Sequence, residues 1–561
     1  MESSGTDRYE EILIKNYPEN VRRHIDIPER TVYSVLEETT KKYPKNIALD
    51  FIGKKWTYSE FKASVDRAAN FLFDQGVRES DRVGLMVPNS PQYAILFFAI
   101  LKLGAIVVQV NPLYTAYEVK EEMNDSSAGI LIVLDDFFPK VESLVPATVS
   151  KIIVTRIKDY LPGFIGSIFS LSRKIKKEDV QVEYTKQIVL FGPSSNGAKE
   201  LGEEKVVPKL SPAVIQYTGG TTGIPKGALL SHYNLISNMY MLEEWVPEKL
   251  KKDLDFLSAI PFFHVYGMMT ALLLPIFLGS RIIIVPDPRD TERILKTIGK
   301  EKNIVFPGIP TMYHSILRNK LSKKYDLSGI SLLISGAAPL PNELEEEFTS
   351  RTKGSIIEGY GLTETSPVVC ATPIDRTKKK IGSVGFPMPN TQVRIMDAET
   401  GDREMPFGEP GEITVKGPQV MMGYLNRKKE TEETIRDGWL YTGDIGLIDD
   451  EGYIRIVDRK KDIIIAGGYN IYPREIEEIL YRNQKIEEAA VIGVPDPHRG
   501  EDVKAFIVLK KGEKMTDDEV KKFCLKYLAI YKIPRIVEFR DSLPKSIVGK
   551  VLKKELRKES T

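Results

Sequence analysis

Residues 217–227, Tyr-Thr-Gly-Gly-Thr-Thr-Gly-Ile-Pro-Lys-Gly, constrain this chain more than any other stretch. Their glycines open backbone conformations closed to other residues and let N–H groups approach an anion. Thr218, Thr221 and Thr222 add hydroxyls, and Lys226 adds a positive charge. Such a cradle needs support on both sides. Upstream, Pro212-Ala-Val-Ile-Gln216 reads as a short buried strand running into the loop; downstream, Leu229-Leu230 followed by Ser231 and Asn234 reads as the approach to a helix. The segment is not a Walker A loop, because Pro225 stands six positions after Gly219 and Gly227 follows Lys226 where Ser or Thr is required. Without its flanks it would read as a surface turn.

Alternating helix-like and strand-like stretches run through the first 380 residues, the pattern of α/β layers with parallel strands. In residues 59–75, Ser59 is placed to cap a helix, Phe61, Val65, Ala68, Phe71 and Leu72 recur near helical spacing, and Gly76 can end it before a strand over 82–87. Residues 382–424 change to short strands with Gly and Pro turns, a small β-rich subdomain. The pattern changes again near Arg459. Residues 453–457 form a strand, Pro473 stands where a helix can start, and Ile476, Ile479 and Leu480 make its apolar stripe. The expected fold class is α/β: a large N-terminal domain of layered α/β subdomains with a β-rich subdomain, then a small mobile α+β C-terminal domain.

Bulk properties exclude several classes. A chain of 561 residues is too long for one ordinary core. With 79 basic against 78 acidic side chains, no global field calls for nucleic acid. Two cysteines, Cys370 and Cys524, form neither a disulfide framework nor a metal-spaced set, which fits a reducing cytoplasm. The polar start has no secretory core, and the apolar windows 93–101 and 265–279 are too short to cross a bilayer. Residues 171–178 and 249–253 read as charged turns or solvated faces. Residues 160–177 join apolar residues to a basic end, a pattern for a peripheral membrane surface, although Pro162, Gly163 and Gly166 weaken it as a helix.

Further segments follow the loop in order: Phe262-Phe-His-Val-Tyr-Gly267, Gly336-Ala-Ala-Pro-Leu340, Glu358-Gly-Tyr-Gly-Leu-Thr-Glu-Thr-Ser366, Tyr441-Thr-Gly-Asp444 with Asp458-Arg-Lys-Lys-Asp462, and Leu543-Pro-Lys-Ser-Ile-Val-Gly-Lys550. With Leu103-Gly-Ala and Val110-Asn-Pro-Leu-Tyr-Thr115 upstream, they resemble the adenylate-forming superfamily over nearly the whole chain. Within it, residues 111–115, 437–445, 458–470 and 472–477 look most like medium- and long-chain fatty acyl-CoA synthetases. The resemblance implies ATP, Mg²⁺ and CoA as cofactors and a two-step ligation of a fatty acid to CoA through an acyl-AMP. Rival readings are an aryl or short-chain acyl-CoA synthetase, a ligase loading a carrier protein, and a lipid-binding protein with a decayed site. A homodimer and peripheral contact at the inner membrane face are retained as partner readings.

The resemblance also carries roles residue by residue. Thr218, Gly219, Gly220, Thr221, Thr222, Gly223 and Lys226 would hold the β- and γ-phosphates. Glu364 matches the carboxylate near Mg²⁺, and Thr363 a contact to the α-phosphate. Gly336, Ala337 and Ala338 would let a purine lie against the backbone, with Tyr360 on its other face and Glu358, Gly359 and Gly361 alongside. Asp444 would accept from the ribose hydroxyls and Arg459 donate to ribose or phosphate. Lys550 would neutralise charge in the first half-reaction, and His264 would gate the acyl or pantetheine route. Gly467 and Gly468 resemble the CoA tunnel wall, while Ile465 departs from relatives that place a lysine there. Tyr266, Met268, Met269, Leu272, Ile309 and Pro310 are expected to line the acyl pocket, and core packing is an equal reading of them. The boundary is placed between 1–459 and 460–561, with the hinge near Lys461.

Overall fold

The computed structural model describes residues 5–176, 180–195, 205–218, 225–251, 253–352, 354–466, 469–546 and 550–560. Among them, four sheets organise the chain. One runs in the order Gly423–Tyr424, Lys226–Ser231, Pro212–Thr218, Ile106–Gln109, Arg82–Met86, Ile130–Leu134, Lys151–Thr155, Ile188–Phe191. Its pairings are parallel from Pro212–Thr218 onward and antiparallel in the other direction. The second contains a parallel set in the order Ser355–Gly361, Ile330–Ser335, Ile304–Gly308, Asp255–Ser258, Arg281–Ile284, Ile47–Phe51. Both large sheets therefore have the mainly parallel character expected for α/β layers.

Helices fill the space between them. Pro91–Lys102 has eleven buried residues and no polar face, as a helix packed on all sides must. It contacts the first sheet at Arg82–Met86, while Tyr58–Asp74 contacts the second at Ile47–Phe51, and the two helices pack on each other. One contiguous apolar core joins both sheets through this layer. The helix expected over 59–75 begins one residue earlier. Its cap is Thr57 rather than Ser59, because Thr57 and Glu60 form a reciprocal capping box.

The β-rich unit also has different limits. Gln392–Met396, Gly411–Lys416, Trp439–Ile448, Ile435–Arg436 and Ile454–Arg459 form one sheet, so it extends to Arg459, past the expected 424. Gly423–Tyr424 leaves it and pairs with Lys226–Ser231 in the first large sheet. The small C-terminal domain has its own sheet, built on the long hairpin Ile486–Asp496 and Gly500–Leu509, with separate apolar clusters on its two faces. Pro473–Tyr481 starts at Pro473 as expected and buries Ile476, Ile479 and Leu480.

Gly163–Lys176 is helical despite its glycines. A Cβ on Gly166 would lie 3.1 Å from the Lys158 carbonyl oxygen, so the missing side chain permits close approach to the preceding turn. Among the described residues, no helix is long and apolar enough to cross a membrane. Cys370 and Cys524 are buried free thiols.

The core also holds a titratable group. His232 is 1% exposed, and its Nδ1 accepts the Val32 N–H at 3.1 Å. Burial lowers its pKa from 6.5 to about 4. A folded value below the unfolded one means that the unfolded chain binds the proton first, so stability is present above pH 6.5 and is lost as pH falls toward 4. His232→Asn keeps an acceptor without the titration. Thermal unfolding across pH 7 to 4 should therefore show a shallower decline for the variant; parallel curves would contradict this.

Candidate active site

The segment that opened the sequence reading links two antiparallel strands. Pro212–Thr218 and Lys226–Ser231 pair in register from Val214 opposite Leu230 to Thr218 opposite Lys226. Gly219, Gly220, Thr221, Thr222 and Gly223 lie outside the described residues. The downstream flank enters a helix as expected: Ser231 caps His232–Trp245 in a box with Asn234. A Cβ on Gly227 would meet Ile215 at 2.9 Å, so its glycine serves strand packing.

Lys226 points across the sheet edge. Its ammonium lies 5.1 Å from the ring centre of Tyr424, whose hydroxyl donates to Glu364 Oε1 at 2.7 Å. The Glu364 carbonyl accepts from Met421 N–H. Thr363 and Glu364 form one 3-10 turn, and both are half-buried. Among the described residues, no group of three or more His, Cys, Asp or Glu could hold a metal. One carboxylate joined through Tyr424 to Lys226 fits Mg²⁺ carried on phosphates, because that ion takes few protein ligands and keeps waters.

A second cluster adjoins the first. Asp444 and Arg459 face each other on neighbouring strands, Trp439–Ile448 and Ile454–Arg459. The Arg459 Nε pairs with Asp444 Oδ1 at 2.6 Å as an ion pair, and the Tyr360 hydroxyl donates to Oδ2 at 2.8 Å. Thr442 orients the same aspartate by accepting its N–H at 3.1 Å, while its hydroxyl donates to the Ile413 carbonyl. Burial holds the Tyr360 phenol far above its usual pKa, and the Asp444 charge adds to this, so it remains a donor. Arg459 also feels the Glu364 charge, so the two clusters lie within electrostatic reach of each other.

The intervening motifs form the wall. Gly336 is buried, and a Cβ there would come within 3.1 Å of the Tyr266 ring. Its small size thus accommodates Tyr266, leaving Ala337 and Ala338 as the accessible positions. Ala337 has φ of +65°. The buried Glu358 accepts Leu340 N–H at 3.2 Å and so ties these two motifs together. Gly359 is half-buried, whereas a Cβ on Gly361 would stand 1.9 Å from the Pro367 carbonyl oxygen.

Lys550 is contributed by the small C-terminal domain. Ser546 N–H donates to its carbonyl at 2.8 Å, and Lys550 N–H returns a bond to the Ser546 hydroxyl at 3.2 Å. The residue is exposed as a whole, yet protein crowds around its ammonium. That crowding, reinforced by Arg459, lowers its pKa to about 8. Lys550 also acts on His264, whose pKa falls to about 4, chiefly through burial. His264 is therefore neutral near pH 7. Its Nδ1 accepts Tyr266 N–H at 3.3 Å, leaving Nε2 as the protonated nitrogen.

Of the expected acyl lining, Met268, Met269 and Leu272 are buried in the core on a π-helical turn, and Ile309 is also buried. Tyr266 is packed: its hydroxyl donates to the carbonyls of Ile334 and Gly308. Lys461 is exposed in the 3-10 turn Lys460–Asp462. Ile465 is exposed on the strand Ile464–Ala466, and its N–H donates to Glu501 Oε2 at 2.8 Å. Gly467 and Gly468 lie outside the described residues.

The comparisons decide the family. Residues 36–425 match the AMP-binding enzyme family, and residues 475–550 match the AMP-binding enzyme C-terminal domain. The chain belongs to the AMP-binding enzymes. A long-chain-fatty-acid–CoA ligase of Bacillus subtilis strain 168 is 43% identical over 555 residues, covering 98% of each chain. One from Escherichia coli O6:H1 is 36% identical with the same coverage. The crystal structure of ATP-bound MatB from Rhodopseudomonas palustris superposes with a TM-score of 0.79 at 30% identity, covering 95% of this chain and 99% of that one.

Tyr424 and Glu412 stood outside the quoted motifs, and Asp458 stood in one without an assigned role. Tyr424 links Lys226 to Glu364, Glu412 accepts Gly443 N–H and pairs with Lys460, and Asp458 accepts Arg474 N–H. The acids lie in strands whose neighbours are known only from the fold. Tyr424 had one local signal, the aromatic after Gly423, but nothing in it pointed to Lys226.

Proposed function

We propose that this AMP-binding enzyme activates a fatty acid with ATP, releasing pyrophosphate, and transfers the acyl group from acyl-AMP to CoA, releasing AMP. The observation that carries the reading is the convergence of Lys226, Glu364, Asp444, Arg459 and, from the other domain, Lys550 on one cleft. Full-length similarity to long-chain-fatty-acid–CoA ligases supports the acid and the acceptor.

In the first step a carboxylate oxygen attacks the α-phosphorus and the bond to the β-phosphate bridging oxygen breaks. Such displacements depend on positioning and charge neutralisation. Lys226 and the adjoining loop hold the leaving phosphates. Thr363 contacts the α-phosphate, and the Lys550 ammonium lies between the two anionic partners. Glu364 would hold Mg²⁺, which would supply charge neutralisation on the phosphates. Asp444, fixed by Tyr360 and Thr442, accepts from the ribose, and Ala337 with Ala338 flanks the purine.

In the second step the thiolate sulfur attacks the acyl carbon and AMP leaves. His264, neutral and donating through Nε2, stands where acyl chain and thiol meet, so it orients rather than transfers a proton. Gly467 and Gly468 are assigned to the pantetheine route. We place the boundary between residues 459 and 460, with the hinge at Lys461. Asp458 supports that placement: its carboxylate accepts Arg474 N–H at 2.7 Å and caps a helix that otherwise lacks a side-chain cap. A turn of the small domain would break this bond.

Two finer readings belong to the proposal: a homodimer, which sedimentation velocity tests, and a peripheral station at the inner membrane face. The deciding assay is acid-dependent AMP release with and without CoA, from acetate to palmitate plus one aryl acid. CoA-dependent turnover that peaks among alkyl acids is expected. Accumulation of acyl-AMP with no response to CoA would replace CoA by another acceptor, and a peak on the aryl acid would overturn the fatty-acid assignment.

A further inference from the structure

The helix Gly163–Lys176 leaves its apolar stripe in water. Phe164 is 79% exposed, Ile168 52%, Leu171 60% and Ile175 72%. Spacings of four, three and four residues put these side chains along one face, about 17 Å from first to last at the helical rise. An isolated exposed hydrophobe needs no explanation, but a continuous one-sided stripe marks a contact surface.

The helix is attached at its start. Tyr160 and Leu161, just before it, are buried, and the helix packs against the short turn Ile157–Tyr160. Gly166 permits that approach, and the Ser167 hydroxyl donates to the Gly163 carbonyl. The connection lies between Lys151–Thr155 and Ile188–Phe191, the last two strands of the first large sheet. Lys226 stands toward the opposite edge, so an occupant of this helix would leave the cleft and the small domain unobstructed.

Charge selects the occupant. Gly163–Lys176 contains Arg173, Lys174 and Lys176 and no acidic residue, whereas the whole chain is nearly balanced. An apolar stripe with a cationic end suits a surface that is apolar inside and anionic outside. We propose that this helix seats the enzyme on an anionic phospholipid surface, with Phe164, Ile168, Leu171 and Ile175 entering the acyl boundary and the basic end at the headgroups. This rests on the peripheral-membrane reading above, which it deepens by naming the surface and the lipid, and is independent of which acid is activated.

The test is flotation of the full chain with vesicles of phosphatidylcholine containing phosphatidylglycerol, against phosphatidylcholine alone. The wild-type chain should float with the anionic vesicles, less so as salt rises. Replacing all four stripe residues (Phe164→Ser, Ile168→Ser, Leu171→Ser, Ile175→Ser) should lower the bound fraction by about tenfold or more. AMP release with soluble octanoate should change by less than about twofold, since exposed positions away from the cleft contribute little to folding or chemistry.

Phe164→Trp gives a second readout that preserves the stripe: its fluorescence should shift to the blue when anionic vesicles are added. Wild-type protein that stays unbound, or a serine variant that floats equally well, overturns the proposal. So does a blue shift that follows protein concentration without vesicles, which would assign the stripe to a second copy of the chain. Loss of octanoate activity in a wild-type chain that still floats would remove the catalytic reading and leave this one standing.

Discussion

Lys550→Ala is expected to slow acyl-AMP formation by about 10²–10³-fold, the usual cost of removing one preorganised charge from a developing transition state. Acid-dependent pyrophosphate exchange measures that step. Thioester formation from supplied acyl-AMP should stay within about threefold of wild type, because the proposed second step uses another orientation of the small domain. The geometry behind the expectation is specific. Lys550 is the only residue of the candidate set that approaches the cleft from beyond the boundary and interacts with both Arg459 and His264 among the described residues. A pH dependence follows. The ammonium is charged below its pKa of about 8 and neutral above it, so adenylation should fall as pH rises through 8. Lys550→Arg, which does not titrate there, should flatten that limb at a lower rate. Equal loss of both half-reactions in Lys550→Ala would remove the assignment.

Asp444→Ala is expected to weaken both half-reactions, which separates it from Lys550. The carboxylate accepts from the Tyr360 hydroxyl and pairs with the Arg459 guanidinium, and Thr442 holds its backbone. Removing it leaves the guanidinium without its partner and the phenol without an acceptor. It also removes the proposed anchor for the ribose. Hydrogen bonds to a charged group contribute roughly 1.5–3 kcal/mol each, so KM for ATP should rise by about tenfold to a hundredfold. KM for acyl-AMP in the thioester step should rise similarly, since the AMP portion is common to both. Asp444→Asn keeps an acceptor oxygen and should be milder. An unchanged KM for ATP with only kcat reduced would count against ribose anchoring.

The contrast between these residues shows what was legible beforehand. Lys550 stands among Lys545, Lys553, Lys554, Arg557 and Lys558, and as a sequence it is one basic residue in a basic tail. Its family motif singled it out, and the fold supplies the physical difference. Lys545 pairs with Glu488 and Lys553 with Glu477, whereas Lys550 lies within electrostatic reach of Arg459 and Asp444. Tyr424 shows the opposite case. It stands about two hundred residues from Lys226, and their contact exists because Gly423–Tyr424 pairs with Lys226–Ser231.

Local chemistry was read correctly where short-range rules decide the outcome. The helix after Ser231 and the helix at Pro473 begin where capping and a fixed φ require. Where alternatives are close in energy, tertiary context chose. Thr57 took the cap expected of Ser59 because Glu60 completes a reciprocal box. Gly163 and Gly166 did not break a helix, because at Gly166 the absence of a side chain admits the Lys158 carbonyl.

By itself, the sequence determined the α/β layering, the order of the motifs and the kinds of group available to an anionic substrate, since periodicity, turn residues and side-chain chemistry are local properties. The tertiary structure decided which of those groups meet. Sheet order brought Tyr424 to Lys226, antiparallel register set Arg459 opposite Asp444, and the placement of the small domain brought Lys550 to the cleft. It also decided that Gly336 makes room for Tyr266, and that one amphipathic stripe faces water. These are long-range packing outcomes, set by how complete apolar faces are buried, and no local window of residues contains them.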